Sequence, residues 1–287
     1  MNPELVTTAP GSKKYILTER GLSFLKEELF KGKSYAQLAT IFDINQDTLS
    51  NISKAYNLHT DNRRKYTVNH YYFESIDTVE KAYWLGFLDA DGNVDKQKQH
   101  LSIALQRKDE KALYKLRQCL DSSHPISHKT CVFNNRLYTQ SVLTVSSRIL
   151  CEDLVKAGCV PNKSLCLLPP QIDNSLTPYW ILGYMDGDGS IKAYIDKVTQ
   201  KPRLSISFTG TYEVLSFIRD YFGNNSKIQK EHRCENTFHF TVTETKSIEF
   251  LSCLYNSSPT NYISLDRKRE KFIQYMQLRK ECINGRS

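Results

Sequence analysis

Four carboxylates in two matched pairs are the side chains of this sequence best placed to do chemistry. Tyr83-Trp84-Leu85-Gly86-Phe87-Leu88-Asp89-Ala90-Asp91-Gly92 recurs as Trp180-Ile181-Leu182-Gly183-Tyr184-Met185-Asp186-Gly187-Asp188-Gly189. Each copy is an apolar run that ends in two acids separated by one small residue. Such a run reads as a buried helix with its acids at the C-terminal end, where the macrodipole disfavours a carboxylate by up to about 1 kcal/mol. A basic residue is the ordinary choice there. Two helices making the same unfavourable choice imply that the acids are needed, and a shared cation would offset their repulsion. Taken singly, D-x-D-G also suits a plain C-cap turn with Gly92 or Gly189 in the left-handed conformation. Duplication argues for more, because an internal repeat reports a duplicated unit and an internal two-fold relation.

The elements that must position these acids carry a second signal. Gly86 and Gly183 occupy matching places inside the two apolar runs, where glycine costs roughly 1 kcal/mol relative to alanine. Ala90 and Gly187 match as well. Small residues at this spacing let two helix backbones approach closely, so the runs are expected to pack on each other with Asp91 and Asp188 side by side. Beyond each run the same order of elements follows. In the first half, strands are expected near 93–95 and over 101–107, a helix over 110–120, two more strands up to about 145, and a helix over 148–157. In the second half, strands are expected over 190–198 and 204–209, a helix over 213–222, strands near 226–232 and 237–242, and a helix over 247–254. Leu101, Ile103 and Leu105 alternate with Ser102, Ala104 and Gln106, and Leu204, Ile206 and Phe208 with Arg203, Ser205, Ser207 and Thr209. That period predicts antiparallel sheets with one apolar face on helices and one free face.

Ahead of this core, after a polar start to about Lys14 expected to be mobile, 18–58 reads as three short helices. Ser34 with Gln37 three residues on forms a capping box for the second, and a turn at Asp43-Ile44-Asn45 leads to the third. The stretch 34–49 looks like a helix-turn-helix, with a generic three-helix bundle as the alternative. In the former reading the third helix offers Gln46, Asp47, Ser50, Asn51 and Lys54 to a DNA major groove. The expected plan is 1–14 mobile, 15–61 helix-turn-helix, 62–72 basic linker, 73–168 first half and 169–287 second half.

Composition fits a polyanionic partner. The net charge is +8 and the pI about 8.9, with basic residues clustered at Lys13-Lys14, Arg63-Arg64-Lys65 and Arg267-Lys268-Arg269. Basic clusters beside a metal-binding acid pair point to phosphodiesters. No apolar run approaches the roughly 20 residues that span a bilayer, and no signal-peptide core opens the chain. An intracellular, cytoplasmic protein without a membrane partner is expected. Eight cysteines without any C-x-x-C argue against a zinc module. His124 and His128, near Cys131, read as strand or loop residues.

The duplicated runs resemble the motif of the LAGLIDADG homing endonucleases, in the single-chain form with two copies. Asp91 and Asp188 fall on the last acidic position, which in that family binds divalent metal, and Asp89 and Asp186 on the earlier, largely structural one. Trp84, Leu85 and Leu182 depart from the motif at packing positions. The resemblance implies an α+β fold of two pseudo-symmetric αββαββα half-units with antiparallel saddle sheets, here preceded by a small all-α helix-turn-helix domain. It implies a monomer with an internal pseudo-two-fold axis that lays the free sheet faces over double-stranded DNA. By that placement Ser102, Gln106, Tyr138 and Gln140 read bases in the first half, and Lys192, Tyr194, Arg203, Ser205, Ser207, Thr237, His239 and Thr241 in the second. Lys163 and Lys268, after the last helix of each half, match lysines that reach the catalytic pocket. Gln106 or Arg107 matches a residue that organises water, a place Thr209 fills in the other half. Asp91 and Asp188, with the main-chain carbonyls of Ala90 and Gly187, would hold Mg²⁺ or Mn²⁺ for hydrolysis across the minor groove, leaving short 3′ overhangs on a long target. The resemblance leaves two other functions open. One is a maturase bound to its host intron RNA. The other is a non-cleaving regulator of the kind that joins a helix-turn-helix to a degenerate core, although there the acids are lost and the helices follow the core. The encoding genome is expected to be that of a bacterium, a phage or an organelle.

Overall fold

The computed structural model describes the chain except for residues 13, 31–32, 57, 59–65, 96, 134–135, 162, 164–165, 233–235, 258–263 and 285–287. Residues 62–65 of the expected basic linker, with Arg63, Arg64 and Lys65, and Lys13 therefore lie outside the described residues. Two compact units are present: Met1–Asn69 with Asp121–His124, and His70–Leu120 with Pro125–Ser287.

The first unit contains the three expected helices, α1 (Glu19–Phe30), α2 (Tyr35–Phe42) and α3 (Gln46–Ala55). Ser34 and Gln37 close the capping box on α2. Asp43 ends that helix in the left-handed conformation, and the Asn45 side chain then accepts the Asp47 N–H to start α3. Leu25, Leu38, Phe42 and Leu49 are fully buried between the helices. The unit is not all-α. Strands β1 (Val6–Thr8) and β2 (Tyr15–Leu17) pair antiparallel, because Leu5, Val6 and Leu17 bury and the Asn2 N–H is bonded to the Phe42 carbonyl at 2.9 Å.

The second unit repeats one topology. Helix α4 (Val79–Asp91) leads to β3 (Gly92–Asp95), β4 (His100–Gln106), a 3₁₀ turn at Arg107–Asp109, α5 (Glu110–Cys119), β5 (Ile126–Phe133), β6 (Arg136–Ser146) and α6 (Arg148–Lys156). Helix α7 (Thr177–Asp188) leads to β7 (Gly189–Ile195), β8 (Pro202–Gly210), α8 (Tyr212–Tyr221), β9 (Gln229–Lys230), β10 (Phe238–Thr243), α9 (Glu244–Ser257) and α10 (Asp266–Asn284). The two antiparallel sheets have equivalent orders, β3-β4-β6-β5 and β7-β8-β10-β9. Leu101, Ile103 and Leu105 are buried, as are Leu204, Ile206 and Phe208, while the alternate residues stay partly or fully open.

Three details differ from expectation. β7 stops at Ile195 because the Asp196 carboxylate accepts the Val198 and Thr199 N–H groups and turns the chain. β9 is two residues long. The 19-residue α10 had no clear apolar period in the sequence, and among its described side chains Phe272 and Tyr275 bury as large apolar groups.

Helices α4 and α7 pack face to face through their glycines. A Cβ on Gly86 would lie 2.0 Å from the Trp180 carbonyl oxygen, and one on Gly183 would lie 2.0 Å from that of Tyr83. No side chain fits between those backbones. Trp180, Tyr83, Phe87 and Tyr184 fill the space around the contact and are essentially fully buried. Gly92 and Gly189 are not left-handed caps. Both are extended, at φ −75° and −87°, so each acid pair passes directly into the first strand of its sheet.

Gly86→Ala and Gly183→Ala should each lower unfolding free energy by about 2–3 kcal/mol or more, although alanine alone favours a helix by about 1 kcal/mol. Urea denaturation measures this, and unchanged midpoints would contradict the close approach.

Candidate active site

The helix contact sorts the four carboxylates into two kinds. Asp89 accepts the Trp180 indole N–H at 2.8 Å, and Asp186 accepts the Tyr83 hydroxyl at 2.9 Å and the Leu265 N–H at 2.7 Å. Both are buried. Each first bond crosses from one helix to the other, so these acids pin the interface. Their second oxygens, Asp89 Oδ1 and Asp186 Oδ1, are buried without a hydrogen-bond partner. Burial pushes the pKa of Asp89 to about 7, against the Trp180 N–H and Lys163, and that of Asp186 to about 6, against Lys268 and its own hydrogen bonds.

Asp91 and Asp188 end α4 and α7 and are open to solvent on one side. Protein walls the other sides. A Cβ on Gly187 would touch the Ala90 Cβ at 2.2 Å and lie 3.5 Å from the Asp91 Cγ, so the Asp91 carboxyl sits against the end of the opposite helix. Among the described residues neither carboxylate receives a hydrogen bond. Enclosure raises the Asp188 pKa to about 6, with Asp91 adding to the rise and Lys163 and then Lys268 opposing it. Asp91 is raised by the same enclosure, opposed by Lys268 and then Lys163, with Asp109 adding a little. Two like charges therefore face one another with no donor of their own.

Both expected lysines arrive. Lys163 donates to the Ala90 carbonyl at 2.6 Å. With Asp188, Tyr184, Thr209, Gly210 and Thr237 it lines a recess at the helix ends. Lys268 is 4% exposed, and its ammonium bonds the carbonyls of Met185, Asp186 and Gly189 at 2.6–2.7 Å. These carbonyls hold it at the end of α7, within the field of Asp91 and Asp188. Gln106 lies exposed at the end of β4, paired with Gln140, and is not among the residues lining the recess.

The expected base readers share the open sheet faces. Lys192 pairs with Ser205, Tyr194 with Arg203, Thr241 with Ser207, and His239 with Thr209. Arg203 is partly engaged by Glu244 at 3.5 Å, and His239 by Glu231 at 2.7 Å. In the first half Ser102 pairs with Asn93 and Thr144, and Gln106 with Gln140, which pairs in turn with Lys129. Tyr138 is exposed. Asn93, Lys129, Thr144 and Ser190 belong to the same faces and were not singled out in the sequence; pairing register was the missing signal. Within the first unit Gln46, Asn51 and Lys54 are exposed on α3 and Ser50 half-exposed. His128 bonds Glu110, and His124 bonds Ser122.

Two partnerless carboxylates beside main-chain carbonyls form a hard oxygen donor set of the kind Mg²⁺ or Mn²⁺ takes. Among the described residues no three His, Cys, Asp or Glu side chains gather as metal ligands. An ion here would complete its shell with substrate oxygens and water. The carboxylates fit this role better than the carbonyls, because Ala90 O faces the Lys163 ammonium and Gly187 O lies 3.4 Å from that of Lys268.

Residues 181–281 match the family model described as LAGLIDADG endonuclease, and residues 78–151 that described as LAGLIDADG-like domain. The chain carries two LAGLIDADG domains. Among solved structures it is similar to meganuclease I-SmaMI bound to uncleavable DNA with a TTCT central four, at 14% identity and a TM-score of 0.49 over 71% of this chain and 91% of that one. It is also similar to the LAGLIDADG homing endonuclease I-GzeII in complex with its DNA target, at 14% identity and 0.49 over 74% and 92%. For I-SmaMI bound to uncleaved target with calcium ions the values are 15% and 0.48 over 71% and 92%. A search of curated proteins finds no match. In both LAGLIDADG domains the inner acid of the motif is a buried cross-helix bond and the outer one faces solvent.

The pKa values raised in the fold carry a signed consequence. Acids at about 6 to 7 in the folded state contribute stability below their unfolded pKa near 4, and that contribution is lost as pH rises to about 7. Asp89→Asn should therefore match or trail the wild type near pH 4 and exceed it at pH 8 by on the order of 1 kcal/mol or more, after the cost of one unpaired amide N–H. Melting curves across this range test it, and parallel curves for the two proteins would contradict it.

Proposed function

We propose that this protein is a site-specific endonuclease that hydrolyses both strands of a DNA duplex with a divalent cation, Mg²⁺ or Mn²⁺, held by Asp91 and Asp188. The observation that carries the reading is the pair of facing, partnerless carboxylates at the ends of two helices locked together through glycine. A transcription regulator has no use for such a pair, and the repulsion would only weaken the fold.

The free sheet faces present hydroxyl, amide, imidazole, tyrosine and lysine groups in cross-strand rows. Rows of this kind suit hydrogen bonding to base edges in a major groove. The acids between the sheets then meet the backbone across the minor groove, and cuts offset there leave short 3′ overhangs. When bound, the cation acidifies a water and neutralises charge developing on the leaving oxygen. The residues of this chain do the rest. Asp91 and Asp188 fix the position of the metal, Lys163 offers ammonium hydrogens to a phosphate oxygen, and the recess walls hold the attacking water. In each cut the water oxygen bonds to phosphorus, the P–O3′ bond breaks, and the 3′ oxygen takes a proton. The chain works as a monomer, with α3 of the first unit inserted in a flanking major groove as the second helix of a helix-turn-helix.

The substrate to test is duplex DNA recovered by cleavage from a randomised library, together with the rejoined sequence that flanks the gene. Asp91→Asn or Asp188→Asn should lower cleavage in Mg²⁺ by at least about 100-fold, near 3 kcal/mol of barrier, while affinity stays within a few-fold. Wild-type cleavage rates in both variants would reduce the helix pair to a structural interface. Replacing Gln46, Ser50, Asn51 and Lys54 together by Ala should shorten the footprint on one flank and weaken binding by several kcal/mol, since each good base contact contributes about 1–3 kcal/mol. Identical footprints would assign α3 another partner.

A further inference from the structure

A second cavity, of about 400 Å³, opens in the second unit where β8 begins, α9 begins and α10 ends. It shares no residue with the recess at the ends of α4 and α7. Its volume lies within the range of roughly 300–1,000 Å³ of small-molecule sites, and is more than a phosphate group alone fills. Pro202 and Ile248 give it apolar walls.

Its polar groups converge on an anion. The side chain of Tyr275 is 2% exposed, yet its hydroxyl makes no hydrogen bond among the described residues. A buried hydroxyl ordinarily has a partner. Burial raises the pKa of Tyr275, with Glu244 adding to the rise and Arg279 and then Arg203 opposing it, so the hydroxyl keeps its proton and can donate. Beside it stand two cations, Arg279 from α10 and Lys201 from just before β8. Among the described residues neither has a carboxylate within ion-pair distance. The one acid of the wall, Glu244, is partly offset by Arg203 at 3.5 Å. The 14-residue α9 also starts here, and the first N–H groups of a helix lack partners within it and favour an anion. Positive charge is therefore in excess at this wall.

We propose that this cavity binds a phosphomonoester that carries an apolar ring body, the chemistry of a nucleoside monophosphate. Arg279 and Lys201 hold the phosphate, with the Tyr275 hydroxyl donating to it. Pro202 and Ile248 cover the ring body, and Glu244 accepts from a hydroxyl or amino group on it. The site stands apart from the nuclease reading, and its assay contains no metal and cuts no DNA.

Cys282, on the wall of the cavity, supplies the readout. Full-length protein in phosphate-free buffer is titrated with adenosine 5′-monophosphate by calorimetry, and alkylation of Cys282 by iodoacetamide is followed by peptide mass spectrometry. The exposed Cys253 is the internal reference. The monophosphate should bind at one site and slow alkylation of Cys282 at least fivefold, with Cys253 unchanged. Adenosine or inorganic phosphate at the same concentration should slow it less than twofold. Loss of a charged hydrogen bond in Arg279→Gln should weaken binding about tenfold or more, and loss of a neutral one in Tyr275→Phe about threefold, with unchanged melting temperatures. Should Arg279→Gln not fold, Lys201→Gln at its exposed site takes its place, with the same loss expected. Absence of binding with Cys282 alkylated at its free rate, wild-type affinity in the cation variants, or equal protection by inorganic phosphate alone would overturn the proposal. Protection by a duplex oligonucleotide and not by the monophosphate would also overturn it, and would assign the cavity to the DNA backbone.

Discussion

Everything at the site depends on how closely two helix backbones approach. At Gly86 and Gly183 each helix occupies the volume that a Cβ on the other would need. Closeness on this scale makes the ends of α4 and α7 neighbours and brings their outer acids into each other's field. It also brings Trp180 to Asp89 and Tyr83 to Asp186, so that the polar bonds of the interface join one half to the other. The LAGLIDADG motif therefore works as a joint: its glycines set the distance, its inner acids fix the register, and its outer acids emerge where the sheets begin.

The arrangement stores electrostatic free energy. Four acids with raised pKa values lie within one helix contact, and two buried carboxylate oxygens have no partner. Each unit of pKa shift is about 1.4 kcal/mol against ionisation. A fold selected for stability alone would place asparagine or serine there. The lysines recover part of the cost, Lys268 by satisfying the carbonyls at the end of α7 and Lys163 by its charge beside Asp188. What they do not recover is available to a ligand that brings positive charge.

Much of this was legible in the sequence because it was written twice. A single D-x-D-G reads equally as a C-cap, and in fact Gly92 and Gly189 are extended residues that open strands. The second copy, with its matched glycine, turned that ambiguity into a helix pair. Strand faces were legible from the alternation of Leu101 to Gln106 and Arg203 to Thr209, but not the pairing register that adds Asn93, Lys129, Thr144 and Ser190 to the open faces. Lysine positions were legible and their hydrogen-bond partners were not, since main-chain carbonyls at a helix end leave no mark in the sequence. Helix α10 was hidden because its outer surface is charged and few of its residues bury. The β1–β2 hairpin was hidden because strands of three residues leave almost no pattern.

The central claim is that Asp91 and Asp188 form one cation site built by the helix joint, and it is tested most directly without DNA. Thermal unfolding at pH 8 of the wild type and of the double variant Asp91→Asn/Asp188→Asn should be followed as Mn²⁺ is raised into the millimolar range. The account predicts that the wild type melts lower than the double variant without metal and rises as metal is added, while the variant does not respond. A wild type indifferent to Mn²⁺, or a double variant stabilised to the same extent, would contradict it.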